Sequence, residues 1–351
     1  MKIIEGFTSK PGTLCISTAL KNLSNYLMGH NYDEEIYYGL GSGLFFAYSI
    51  SEDMAGIGGF AGDLIMDSFC DNLTAKKITV KTPDDCFDKI KFCIDNNFPI
   101  LVNGLDFHSA AQNKQDERVV EELNLPMNYH FTMIIGYDEE TRELRLADHR
   151  TSGNVPMEIF MKLRDARNEF YYILLPNKIE NMESRIYRSI SKTCDYWFRM
   201  PENPKIIADN YTGDYLHLSC IHNTMEGLNS FHDNFLRGVE MDNLNNFKKS
   251  MFFLRYLSYR GTGGDMTRGL YSRFLKQAAI ITKNDKMNEV AKMYGNAAKS
   301  WRAFFKLFEV PDEILYEQIR NKEENMKFFQ MIDQLYTIEL EAINSLKRLV
   351  E

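Results

Sequence analysis

Three residues carry the chemistry this chain could perform: Cys15, His130 and Asp148. Cys15 follows the turn Pro11-Gly12-Thr13 and opens the apolar-periodic segment LCISTALKNLSNYLMG. A thiol at a helix start sits at the positive end of the helix dipole, beside backbone N–H groups that no helical carbonyl accepts. Both favour thiolate over thiol, and the thiolate is the nucleophile. A cysteine nucleophile needs a base, most often an imidazole, and a third group to hold that imidazole. His130 begins the strand-like run HFTMIIGYD and Asp148 lies near the end of ELRLADH, with EETR between them as a hairpin turn. With positions 137 and 143 opposite each other, residue 148 falls opposite 132 and one diagonal step from 130. Residues 130, 132 and 148 then share a face, because strand side chains alternate. A slip of one residue would part His130 from Asp148.

The elements that must position these groups come in two textures, which meet near residue 176. In the first, residues 14–28 read as a helix from the spacing of Ile16, Ala19, Leu20, Leu23 and Leu27, with Gly29 as its C-cap. A short helix is expected over 33–38, a strand over 76–82 and a helix over 83–97 that starts at Pro83. PILVNGL reads as a buried strand, and FYYILLP closes the region after the hairpin. From about residue 185 the pattern is helical to the end, interrupted by the loop YRGTGGDMTRG. The fold class expected is α+β, with a mixed domain over 1–178 and an all-helical domain over 179–351 that covers the active site or mediates dimerisation.

Bulk composition excludes several functions. A length of 351 residues suffices for two domains, and 44% hydrophobic with 26% charged residues is ordinary for a globular protein. A net charge of −8 with no basic stripe argues against nucleic acid. No apolar run is long enough for a membrane helix, and the N-terminus lacks the apolar core of a signal peptide, so a cytoplasmic location is expected. Cys15, Cys70, Cys86, Cys93, Cys194 and Cys220 form no CxxC pair and read as free thiols.

The order of a helix-start Cys, a strand His and an Asp on the next strand resembles the papain-like cysteine-enzyme fold. YHFTMIIGYDEETRELRLADH looks like the strand pair that carries the His and the Asn or Asp in that fold, as in the peptidase domains of bacteriocin exporters. The resemblance makes Cys15 the nucleophile, His130 the base and Asp148 the orienting acid of a papain-like domain. Papain-like proteases place a glutamine about six residues before the cysteine as an oxyanion donor; Thr8, Ser9 and Lys10 stand there instead. The Cys15 N–H is one expected donor, and an upstream hydroxyl or ammonium another. CISTALKNLSNYLMGHNYDEEIYYGLGSGLFFAY is similar to the N-terminal domain of the butirosin biosynthesis protein H family, and RGTGGDMTRGLYSRFLKQAA to the helical domain that accompanies it. That resemblance implies an acyltransferase of specialised metabolism. The donor would be an acyl-carrier-protein or coenzyme A thioester and the acceptor a small amine. An acidic carrier protein would dock on a local basic patch, for which Arg255, Arg260, Arg268 and Arg273 are candidates.

Other features are weighed against this reading. Gly39, Gly41 and Gly43 imitate a phosphate loop, but the helical pattern before them favours a tight backbone approach near the active site. Gly41 and Gly43, with Gly263, Gly264, Asp265 and Arg268 of the GTGGD loop region, are the candidate substrate contacts. Asp106, His108, Asp148 and His149 show no ligand spacing, so neither a metal nor another cofactor is expected. The aromatic rows Phe252, Phe253, Tyr256 and Phe304, Phe305, Phe308 read as core or as a homodimer face. Two alternatives to acyl transfer stand beside it. One is an amidohydrolase or peptidase with the same three residues, and the other a non-enzymatic binding protein on the same fold.

Overall fold

The computed structural model describes residues 1–50, 55–58, 62–82, 85–104, 130–163, 168–199, 220–239, 244–255 and 263–351. The expectations for Pro83, Asp106, His108, Tyr256, Arg260, Gly261 and Thr262, and for the side chains of Phe252, Phe253 and Arg255, lie outside the described residues. The chain is mixed α+β and divides into two units, residues 1–37 with 62–180 and residues 38–61 with 181–351.

The first unit is built on a seven-stranded antiparallel sheet. Its strands are β1 (Lys2–Ile3), β4 (Lys76–Lys81), β5 (Ile100–Gly104), β6 (His130–Asp138), β7 (Glu143–Ala147), β8 (Ser152–Pro156) and β9 (Glu169–Leu174). They run in the order β4-β9-β5-β6-β7-β8, with β1 also paired to β6. Helices α1 (Cys15–Met28), α3 (Gly62–Leu73), α4 (Phe87–Asp95) and α5 (Met157–Leu163) accompany the sheet, and α2 (Glu34–Leu40) straddles the division between units. Helix α1 lies where its apolar spacing places it, with Ile16, Ala19, Leu20 and Leu23 buried. Gly29 ends it in the left-handed conformation at φ 67°, and its N–H donates to the Asn25 carbonyl. Helix α4 begins at Phe87, whose N–H donates to Asp85 Oδ1 at 2.9 Å. One core cluster joins Val102, Ile134, Leu144, Leu146, Ile90 and Phe160.

The hairpin of β6 and β7 turns through residues 139–142, with Asp138 opposite Glu143 and Tyr137 opposite Leu144. This is one residue away from the expected pairing of 137 with 143. A bulge between Ile134 and Gly136 then shifts the ladder, so that Ile134 faces Leu146 and Met133 faces Ala147. Strand β1 braces the bulge: the Ile4 N–H donates to the Ile135 carbonyl at 2.9 Å, and Lys2 and Ile3 pair with Tyr137 and Gly136. β1 comes so close that a Cβ on Gly136 would lie 2.5 Å from the Lys2 carbonyl oxygen.

The second unit corrects the expectation of an all-helical domain. It contains a three-stranded antiparallel sheet in the order β10-β2-β3, built from β2 (Ala47–Ile50), β3 (Ala55–Gly58) and β10 (Cys220–Asn223). GLFFAYSI therefore ends in a strand whose partner β10 comes from far along the chain. Its helices are α6 (Met182–Arg199), α7 (Thr224–Val239), α8 (Leu244–Arg255), α9 (Arg268–Thr282), α10 (Lys286–Lys306), α11 (Asp312–Arg320) and α12 (Lys322–Lys347). On α10, Val290, Ala291, Tyr294, Ala297, Ala298, Trp301, Phe304 and Phe305 are buried at helical spacing. Phe304, Phe305 and Phe308 pack among one another and with Trp301 or Phe235, which makes them core. No helix of the described residues is long and apolar enough to cross a membrane.

The brace on the bulge has a measurable consequence. Gly136→Ala should lower the unfolding free energy in urea by about 1–3 kcal/mol, the usual range for forcing extra atoms into a packed site. An unchanged unfolding midpoint would show that β1 does not constrain this strand.

Candidate functional site

The shifted ladder decides the geometry at the open end of the hairpin. Continued past Met133 and Ala147, it sets Asp148 opposite Thr132 and diagonal to His130. His130 Nε2 lies 3.4 Å from Asp148 Oδ2, long for a hydrogen bond and within reach of an ion pair. The other carboxylate oxygen is occupied locally: Oδ1 accepts the N–H groups of Arg150 at 2.6 Å and Thr151 at 2.7 Å. The Asp148 N–H donates to the Thr151 carbonyl at 2.9 Å, which closes the turn. Burial alone would raise the pKa of this carboxyl. The His130 imidazole and the Thr151 and Arg150 N–H groups outweigh burial and hold it well below the usual carboxylate range.

Cys15 is the first residue of α1 and is 6% exposed. Helix α1 packs against β6, the strand that His130 begins. The loop before Cys15 is also tied to the segment after β7: the Gly12 N–H donates to the His149 carbonyl at 2.8 Å. Among the described residues His130, Asp148 and His149 form a cluster of potential ligating groups, with one ligand atom from each lying within 4.8 Å of the others. The rings of His130 and His149 are 5.0 Å apart. Cys15 is not a member of that cluster. Two imidazoles and a carboxylate are donors that suit a zinc-class ion.

Two neighbours were not expected from the sequence. His149 enters as a partner for the His130 ring and, through its carbonyl, for Gly12. Glu34, which opens α2, is 6% exposed and accepts the N–H groups of Thr13 at 2.7 Å and Leu14 at 2.9 Å. Its sequence distance from the helix it caps leaves no local signal. Two of the upstream residues considered as oxyanion donors, Ser9 and Lys10, have other partners. Asn22 Nδ2 donates to Ser9 Oγ at 3.4 Å and to the Lys10 carbonyl at 3.1 Å, while Lys10 Nζ donates to Asn31 Oδ1 at 3.3 Å.

The candidate substrate contacts all fall in the second unit. Arg268 corrects its reading as a ligand contact and docking cation: it is 0% exposed. Its Nε donates to Glu339 Oε1 at 2.6 Å and its Nη2 to Oε2 at 3.1 Å, while Nη1 donates to the Phe45 and Met266 carbonyls at 2.7 Å. Trp301 Nε1 donates to the same Glu339 oxygen at 2.6 Å, so this guanidinium is a core fixture. Asp265 is 5% exposed and paired with Arg302. Gly263 and Gly264 form the positive-φ turn before α9. Gly41 lies buried in the turn after α2, and the Gly43 carbonyl accepts the Tyr38 hydroxyl, which also bonds Thr267 Oγ1 at 2.6 Å. Arg273 is exposed on α9.

Asp148 gives a pH signature. Its lowered pKa stabilises the folded chain above the unfolded carboxyl value near 4, and that contribution is lost as pH falls. Asp148→Asn should destabilise the chain by about 1–3 kcal/mol at pH 7, with the difference from wild type shrinking toward pH 3. Urea unfolding at both pH values measures it; a difference that does not change with pH would contradict the pairing.

No curated protein matches the chain. Residues 161–346 match the family described as a domain of unknown function, DUF4872, and since that match spans more than half of the 351 residues, the chain belongs to this family.

Proposed function

We propose that the chain is a cysteine acyltransferase that takes an acyl group from a thioester onto Cys15 and passes it to an amine. The observation that carries this reading is the Gly12–His149 hydrogen bond, which ties the loop leading into Cys15 to the turn that holds Asp148 against His130. In the first half-reaction Cys15 Sγ attacks the thioester carbonyl, the C–S bond to the donor breaks, and the donor leaves as a free thiol. In the second, an amine attacks the new thioester, His130 takes the proton from the amine nitrogen, and Cys15 is released as the amide departs. Exchange between two thioesters is nearly isoenergetic, so proximity and a held imidazole supply most of what the first step needs.

Asp148 Oδ2 engages Nε2, so the ring's Nδ1 is the nitrogen assigned to the Cys15 proton. The donor is a carrier-protein or coenzyme A thioester and the acceptor a small amine. Arg273 remains a docking candidate for an acidic carrier, whereas Arg268 does not. Water in place of the amine would make the same residues an amidohydrolase or peptidase. The His130–Asp148–His149 cluster favours a second reading, in which a divalent transition metal replaces the thiol as the reactive centre.

Intact-protein mass after incubation with a panel of acyl thioesters tests the proposal. Wild type should gain an acyl mass that amines discharge faster than water does. Cys15→Ser should gain none, Cys70→Ser should behave as wild type, and His130→Ala should slow acylation by about 10²–10⁴-fold. Iodoacetamide at neutral pH should modify Cys15 ahead of Cys70, Cys93 and Cys194, whose thiols burial pushes up to about 12, 11 and 12. No adduct from any thioester, or equal labelling of the four thiols, would overturn it. Loss of activity on chelation would favour the metal reading.

A further inference from the structure

Helix α1 lacks a cap of its own. Its N-cap residue is Leu14, in extended conformation (φ −125°, ψ 134°), with no side-chain hydrogen bond to the first turn. The cap comes instead from Glu34 at the start of α2, 20 residues downstream of Leu14. Glu34 Oε2 accepts the Thr13 N–H at 2.7 Å, and Oε1 accepts the Leu14 N–H at 2.9 Å and the Ser17 hydroxyl at 2.6 Å. A buried carboxylate is costly unless its oxygens are satisfied, and these three donors satisfy them. Gly12 makes room for the arrangement, since a Cβ there would lie 2.6 Å from Glu34 Oε2 and would also strike Thr18 Oγ1.

The choice of amides is informative. A Ser, Thr or Asp at the N-cap position would bond the N–H of the second or third helical residue, here Ile16 or Ser17. Glu34 takes the two amides before the helix and leaves its first turn open. The N–H groups of Cys15, Ile16 and Ser17 have no hydrogen-bond partner among the described residues. Amides beside a nucleophile are the donors that stabilise a developing oxyanion. Holding the helix start from outside the first turn fixes Cys15 without consuming those donors.

We infer that Glu34 is a positioning residue for the Cys15 nucleophile, clamping the Thr13–Leu14 backbone so that the Cys15 N–H faces the oxyanion of the reacting thioester. The inference rests on the proposed role of Cys15 and adds to it the group that aims the expected oxyanion donor, the Cys15 N–H. Ser9 and Lys10, engaged with Asn22 and Asn31, are not needed for that task.

The test compares wild type, Glu34→Gln and Ser17→Ala as full chains. Three readouts are taken: Cys15 acylation against thioester concentration, amide hydrogen exchange at Thr13 and Leu14, and thermal unfolding. Glu34→Gln should leave the half-saturating thioester concentration within about twofold while the limiting acylation rate falls about 10²-fold, the penalty of a misplaced reacting group. Exchange at Thr13 and Leu14 should rise while exchange in β5 and β6 does not. Ser17→Ala keeps both amide bonds and should lose only several-fold in rate, which keeps the inference testable if Glu34→Gln fails to fold. Faster exchange with an unchanged acylation rate would overturn the clamp and leave the acyltransferase reading standing. If wild type accepts no acyl group, the iodoacetamide rate at Cys15 takes over as readout. A fall confined to Cys15 in Glu34→Gln would support the clamp without the transfer chemistry, and equal rates would overturn it.

Discussion

A β-strand shows its side chains to alternate faces, so the ladder between β6 and β7 has one register in which His130 and Asp148 can meet. The turn does not set that register. Pairing at the turn, with Tyr137 opposite Leu144, would carry through to place Asp148 on the wrong face and His149 opposite Thr132. The bulge between Ile134 and Gly136 changes the register midway, and β1 occupies the carbonyl and the space that the bulge creates. The site thus depends on a two-residue strand at the far end of the hairpin. That dependence is why His130 sits 3.4 Å from Asp148 rather than across the sheet from it.

The start of helix α1 rests on a different kind of constraint. A helix start offers unpaired amides wherever it occurs, and most helices fill them with their own N-cap side chain. Here Leu14 cannot do so, and the holding group comes from another element. Cys70, Cys93 and Cys194, by contrast in position, lie away from such a start and are ordinary apolar-environment thiols kept protonated by burial. The second unit makes a comparable substitution of tertiary for local partners. Arg268 is fully buried because Glu339 and two carbonyls meet its donors, and Trp301 adds a bond to the same carboxylate.

Features set by local sequence were legible before the structure. Helix α1 and its Gly29 cap follow from apolar spacing and one glycine, and the strands β4, β5, β6, β7 and β9 follow from short apolar or alternating runs. The diagonal relation of His130 to Asp148 was also readable, although the register assumed at the turn was off by one and the bulge compensated for it. What could not be read depends on long-range partners. Strand β2 pairs with β10, Glu34 caps a helix 20 residues upstream, and Arg268 finds its carboxylate 71 residues away. A charge that would lie at the surface on propensity alone goes inside when such a partner exists, and sequence spacing carries no trace of the pairing.

The proposed function requires Cys15 and His130 in one reactive site, with Asp148 behind the imidazole. The most direct measurement is cross-linking of the full chain with 1,3-dibromoacetone, a bifunctional reagent that joins a thiol and an imidazole only when both reach its short three-carbon bridge, followed by peptide mass mapping. The account predicts a bridge between Cys15 and His130 that disappears in Cys15→Ser and in His130→Ala. A simple adduct on Cys15 with no bridge, or a bridge to a histidine elsewhere, would contradict it.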